Sequence, residues 1–303
     1  MQYKATGYTD DSAPSKSITE ECFTRTKKAK ELCLFALELE EKLSLLLDNY
    51  FDFELEMLRL AQINIIWKRE DHEDAMTRRL GLDRRLVNLL TSCRLYLDQT
   101  AHGLSSHFGK ESDQLLAIKA FKNKLYDTHW GYRLMEALRN HVQHAGLLVH
   151  VICSRASRSE QKGSVHTEMR VFPKALVETL EADKEFKKQI LIELKKGGSE
   201  LDLRGPTREY LHCFVTLHKR IRELIFQNIS EARSYYSETV SKYSTIEGVN
   251  VQFPRLLELR GEDGTTSEEI PLVTEFLDYF DALQRRNSIT SDLRTTFASN
   301  SQQ

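Results

Sequence analysis

The sequence is short of the residues that break helices and of those that cross-link chains. Only 5 prolines and 13 glycines occur in 303 residues, so little of the chain is forced out of regular structure. The plentiful Leu, Glu, Lys and Arg then indicate mostly helix. The five cysteines, Cys22, Cys33, Cys93, Cys153 and Cys213, are scattered, odd in number and without a C-x-x-C pair. This argues against a disulfide framework and points to a reducing, cytoplasmic home. No stretch approaches 18 uninterrupted apolar residues, and MQYKATGYTDDSAPSKS at the start holds no apolar core of a signal peptide. Neither a membrane span nor export by the usual signal is expected. Charge of one sign is lacking too. With 43 Lys+Arg against 45 Asp+Glu there is no global basic field, and any nucleic-acid contact is confined to a local patch. G-x-x-x-x-G-K-[ST], G-x-G-x-x-G and G-x-S-x-G are absent, and with them the loops that cradle a nucleotide phosphate or present a nucleophile on an elbow.

What is present is helical periodicity. After a polar lead ending near Thr19, Leu32, Phe35, Leu39, Leu43 and Leu46 recur at spacings of three and four, which predicts a long amphipathic helix. Apolar density runs on to Trp67 and collapses into KREDHEDAMTRR, read as an exposed helix end or a charged turn. Asp83 is placed to cap the next helix, with Leu86, Leu89, Leu90, Cys93 and Leu97 as its buried stripe. Arg85, Asn88 and Ser92 line another face of it, for which a solvent-facing stripe is the commoner explanation than support of a site. Ser112 caps a shorter helix, and Thr128 is positioned to cap the one after it.

That helix, WGYRLMEALRNHVQHAG from Trp130 to Gly146, separates its residues most cleanly. Wound at about 100° per residue, Leu134, Leu138, Val142 and Ala145 share one stripe with His141, while Arg139, Asn140, Gln143 and His144 share the opposite side. Asn140 with His144, and Arg139 with Gln143, are i,i+4 neighbours. Gly146 is placed at C′, putting His144 in the last turn, where the helix dipole favours a protonated ring. A permanent cation beside a titratable histidine suits phosphodiester chemistry, the Arg holding the phosphate and the His moving a proton. His141, His144 and His150 also invite a metal, but His141 faces the apolar side and no clustered Cys, Asp or Glu completes a ligand set, so no metal is expected.

Arg139-Asn140-His141-Val142-Gln143-His144 resembles the R-[polar]-x-x-x-H signature of the HEPN superfamily. The resemblance covers about residues 20 to 150. It implies a helical bundle and a metal-independent endoribonuclease without cofactor, in a toxin or phage-defence setting. Arg139 and His144 would be catalytic, Asn140 and Gln143 supporting, and RNA the substrate. Active sites in the family are typically composite, so it also implies a homodimer with this polar face at the two-fold axis, and an antitoxin or other protein as a further partner. Some members only bind, which leaves a helical interaction or nucleic-acid-binding protein using the same patch as the alternative.

Beyond Gly146 the period becomes two: LLVHVICSR and SVHTEMRVF alternate around the turn-prone ASRSEQKG, predicting a β-hairpin. Arg155, Arg158 and Lys162 make this loop basic and are candidate RNA contacts, although an ordinary solvated hairpin tip is the commoner case. One or two helices follow through Lys196, then a long helix from Thr207 to Tyr243. VNVQFPRLLELRG reads as an edge or irregular strand interrupted by Pro254, and Glu268 to Gln284 as a last helix. The expectation is thus a mainly α protein: a flexible lead (1–19), a HEPN-like bundle (20–146), a hairpin with a helical C-terminal region (147–288) and a disordered tail (289–303).

Overall fold

The computed structural model describes residues 1–7, 14–67, 72–161, 164–251, 253–260 and 265–295. In order these form β1 (Gln2–Thr6), β2 (Ser15–Ser17), α1 (Glu20–Ile66), α2 (His72–Phe108), α3 (Asp113–Thr128), α4 (Trp130–His144), β3 (Val151–Gln161) and β4 (Ser164–Leu176). There follow α5 (Val177–Ala182), α6 (Lys188–Lys196), β5 (Glu200–Asp202), α7 (Arg204–Tyr243), β6 (Thr245–Ile246), β7 (Val249–Asn250), β8 (Arg255–Arg260), β9 (Thr265–Pro271) and α8 (Glu275–Arg286). The protein is mainly α, with small antiparallel sheets. Among the described residues no helix is long and apolar enough to cross a membrane. The chain divides into two compact units, Met1–Glu41 with Ile221–Ser288, and Lys42–Arg220 with Ile289–Gln303.

The first unit is built on an antiparallel sheet of order β2-β1-β8-β9. Residues 2–6, expected to belong to a flexible lead, are instead strand β1, paired with β8 from Gln2 opposite Leu259 to Thr6 opposite Arg255. Ala5, Phe23, Tyr236, Tyr243, Leu256, Ile270 and Leu277 are buried together beneath it. This pairing reaches across some 250 residues, so no local pattern announces it. Pro254 stands before β8 rather than within it, its carbonyl accepting the Leu272 N–H at 2.8 Å, and β8 is consequently an interior strand and not the expected edge. The last helix starts at Glu275 rather than Glu268, because Thr265–Pro271 is spent on pairing with β8. In the same unit the Glu40 carboxylate, 2% exposed, accepts from Nε and Nη2 of Arg222 and from the Asn287 amide.

In the second unit α2, α3 and α4 pack against one another. Leu82, Leu86, Leu89, Leu90 and Cys93 from α2 and Leu134 and Leu138 from α4 are fully buried there. Ser112 does cap α3, accepting the Leu115 N–H at 3.3 Å. α2 begins at His72, so the charged run is largely helix and Asp83 is no cap: it lies inside α2, 1% exposed. Its Oδ1 accepts the N–H groups of Leu148 and Val149 at 2.9 and 2.8 Å, which fixes the chain between α4 and β3 to the side of α2. Arg85 pairs with the buried Glu56 at 3.0 Å and Ser92 donates to the Leu89 carbonyl, so this stripe is occupied locally. The hairpin is longer than expected: β3 and β4 pair from Val151 opposite Lys174 to Gln161 opposite Ser164, and β5 extends the sheet. Of the tail expected to be disordered, residues 289–295 are described, with Arg294 folded onto Asp292.

Candidate functional site on helix α4

α4 is held at its start, its middle and its end. Its first turn has no acidic residue and its N-cap, His129, makes no side-chain cap bond. Glu209 of α7 takes that role, accepting the Gly131 N–H at 2.7 Å and meeting His129 Nδ1 at 3.0 Å. Gly131 is required there because a Cβ would lie 2.4 Å from Glu209 Oε2. Thr128, expected to be the cap, instead turns back to the Lys124 carbonyl. Mid-helix, Tyr132 stacks on Phe214 with ring centroids 5.9 Å apart, and the Tyr210 hydroxyl donates to Glu136 at 2.5 Å. The buried face runs through Tyr132, Leu134, Met135, Ala137, Leu138 and His141. Val142 is only half-buried and Ala145, the C-cap, is exposed, so the apolar stripe ends one turn earlier than the period predicts.

Arg139, Asn140 and Gln143 are brought together. Arg139 donates to Asn140 Oδ1 at 2.7 Å and to Gln143 Oε1 at 3.2 Å. Its Nε faces Glu136 at 3.6 Å, too long for a hydrogen bond, and is buried without a hydrogen-bond partner among the described residues. Only 14% of the Arg139 side chain is exposed, whereas Asn140, Gln143 and His144 are exposed. His144, the final residue of α4, joins none of these hydrogen bonds. It borders Asp183 in a small recess that Asn140 and Lys187 also line. The structure therefore presents a guanidinium tied into an amide pair, and an open imidazole at the helix C-terminus, on one exposed edge.

The candidate RNA contacts on the hairpin do not form one patch. Arg155 and Arg158 lie in strand β3 rather than in a tip loop, and three residues apart along a strand they point to opposite faces. Arg155 approaches the Phe172 ring at 5.8 Å, while Arg158 lines a groove with Arg78 and Arg79. Lys162 lies outside the described residues.

Sequence reasoning placed His141 on the buried face but could not supply its partner. His141 Nδ1 meets Asp183 Oδ2 at 2.7 Å, and the ring packs edge-on to Phe186. The hydrogen bond to His141, more than any other influence, holds the Asp183 carboxyl below the usual carboxylate range. Asp183 stands 42 residues further along the chain, just after α5, one of three acids in Glu181-Ala182-Asp183-Lys184-Glu185 with nothing local to single it out. Among the described residues no group of three or more His, Cys, Asp or Glu is arranged to hold a metal ion. No family model, curated protein or solved structure matches this chain.

Proposed function

We propose that the protein is a metal-independent endoribonuclease of the HEPN type, acting in a toxin or phage-defence setting on single-stranded RNA. One observation carries the reading: the last turns of α4 gather Arg139, Asn140 and Gln143 into a hydrogen-bonded cluster that runs up to an exposed His144 at the helix C-terminus. In this reading His144 Nε2 or Nδ1 takes the proton of a ribose 2′-hydroxyl, and the freed oxygen pair attacks the adjacent phosphorus. The bond to the 5′-oxygen breaks, that oxygen takes the proton back from the His144 imidazolium, and the products are a 2′,3′-cyclic phosphate and a 5′-hydroxyl end. Arg139 swings from Glu136 to the phosphate, where its bidentate fork neutralises the charge that develops on the phosphorane. Asn140 and Gln143 orient the phosphate or the imidazole. The active unit is a homodimer, two α4 faces contributing to one composite site.

The test is cleavage of RNA by wild type, Arg139→Ala and His144→Ala in EDTA, with detection of new 5′-hydroxyl ends. Loss of about 10²-fold to 10⁴-fold in each variant, with folding and association unchanged, is the expected result. Activity that survives in both variants would overturn the site.

A second reading is favoured by the Glu136 carboxylate beside Arg139 and by the low exposure of that guanidinium. A cation already neutralised within its own helix suits an interface better than a transition state. There the α4 edge would bind a second copy or a protein partner without catalysis. Wild type that cleaves no RNA, with association weakened by His144→Ala and Asn140→Ala, would establish it.

A further inference from the structure

On the buried face of α4 lies a recess of about 510 Å³, lined by Arg79, His141, Gly146, His150, Thr179 and Asp183 among others. All belong to the unit that contains Lys42–Arg220. Its polar groups differ in what they have left to offer. His150 is committed: Nδ1 accepts the Leu176 N–H at 2.8 Å, which fixes its proton on Nε2. Burial first, and then the neighbouring His141 charge, hold its pKa below the ordinary imidazole value, so it stands as a neutral wall. His141 is held the opposite way round. Its Nδ1–H donates to Asp183, and Nε2 has no hydrogen-bond partner among the described residues.

Nε2 is also unobstructed. A Cβ at position 146 would touch it at 3.8 Å, so the bare glycine keeps that nitrogen open to the recess. Arg79 gives one terminal nitrogen to the Val149 carbonyl at 3.2 Å, but its Nε is buried with no hydrogen-bond partner among the described residues. A buried guanidinium N–H left unmet is costly and rare.

We propose that Arg79 and His141, oriented by Asp183, form a second site that binds the phosphate of a phosphodiester. With Nδ1 given to Asp183, Nε2 is the His141 ring atom left for a ligand, and the Arg79 guanidinium, a permanent cation, borders the same recess, so an anion entering it meets a fixed positive charge beside a ring nitrogen. Two carboxylates limit the charge that the ligand can carry, Asp183 itself and Asp83, on which the Arg79 charge acts. They repel a dianion more than a monoanion, and a phosphodiester carries one negative charge where a phosphate monoester carries about two. Arg79 and His150 also line a wider groove with Asn64, Arg78, Ser154 and Arg158, a path for further phosphates of a polymer. That the polymer is RNA rests on the ribonuclease reading; the phosphodiester site does not.

The experiment titrates the full chain with dimethyl phosphate and follows the histidine ring ¹⁵N and ¹H resonances. A saturable shift of the His141 ring is expected in wild type and in the Arg139→Ala/His144→Ala double variant. Affinity should fall at least tenfold in Gly146→Val, which fills the opening before Nε2, and in Arg79→Gln. If Arg79→Gln fails to fold, Gly146→Val decides, since it removes no hydrogen-bonding side chain. A shift that never saturates, or that is unchanged in Gly146→Val, or that follows the His144 ring, overturns the site. In a second arm, a single-stranded RNA oligonucleotide competes with dimethyl phosphate and phosphatidylglycerol vesicles do not; the reverse overturns the nucleic-acid source. Because the double variant is inert in cleavage yet expected to bind here, failure of the ribonuclease reading and failure of this one give different results.

Discussion

Replacing Asp83 by alanine tests how the chain beyond α4 is anchored. Asp83 is 1% exposed, and its Oδ1 accepts the amides of Leu148 and Val149, both 0% exposed. The substitution strands two buried donors at about 1–3 kcal/mol each, about 2–6 kcal/mol together. Against this stands the relief of no longer burying Oδ2, which has no hydrogen-bond partner among the described residues, so the expected loss is in the lower part of that range, about 2–4 kcal/mol. Asp83→Asn keeps a carbonyl for both amides but sets an NH₂ group where no acceptor waits, and should cost less, about 1–2 kcal/mol. Urea unfolding followed by a probe in α2 or α4 would show the midpoint falling while the slope is kept. Hydrogen exchange would show the Leu148 and Val149 amides losing protection. The reasoning fails if Asp83→Ala stays within about 0.5 kcal/mol of wild type, the ordinary size of a surface substitution, or if Asn proves costlier than Ala. Burial pushes the Asp83 carboxyl above the usual carboxylate range, more than the two amides and Arg79 pull it down. Its folded pKa is therefore above its unfolded one, so its contribution is most favourable below the unfolded value and is lost as pH rises through the raised one; Asp83→Asn should remove that slope.

Gly131→Ala forces a methyl to within 2.4 Å of the Glu209 carboxylate and should cost about 1–3 kcal/mol by thermal unfolding; an unchanged melting temperature would show that Glu209 does not cap α4. Asp183 carries the opposite sign to Asp83: its pKa is depressed chiefly by the hydrogen bond from His141. The stability it supplies is present above the unfolded carboxylate value and is lost as pH falls through the lowered one, so Asp183→Asn should flatten the acid limb of a midpoint-against-pH curve. Burial raises the Cys33 thiol to about 11 and the Cys213 thiol to about 12, and lifts Cys93 well above its ordinary value. A thiol reagent at pH 8 should therefore label the half-buried Cys22 and Cys153 first, and early labelling at Cys93 or Cys213 would contradict the packing of the second unit.

Local periodicity was enough to read α1, α3, α4 and the β3 and β4 pair, because each writes its buried face into its own sequence. Elements whose conformation is decided by a distant strand were not legible. MQYKAT looks like a polar lead until Leu257 lies opposite Lys4, and Glu268 to Pro271 reads as the start of a helix until β8 claims it. Asp83 illustrates the same limit at a single residue. An acid before an apolar stripe is the local signature of a cap, yet its partners are amides 65 and 66 residues away. At the site, the Arg139 to Gln143 bond was legible because i,i+4 spacing allows it, whereas Arg139 takes the Asn140 amide as its adjacent neighbour and the expected Asn140 to His144 pair forms no hydrogen bond among the described residues. Asp183, Glu209 and Tyr210 were not, since they reach α4 from α7 and from the turn after α5.

The two hydrogen bonds that Asp83 accepts from backbone amides separate what lies on either side of them. A pull on the hairpin is taken up by α2 at Leu148 and Val149 before it reaches His144, four residues upstream of the first of these. The β3 and β4 arm could thus be lengthened, shortened or rebuilt while the Arg139 to His144 edge of α4 kept its place. The hairpin and the helix would then be free to change at different rates in one chain.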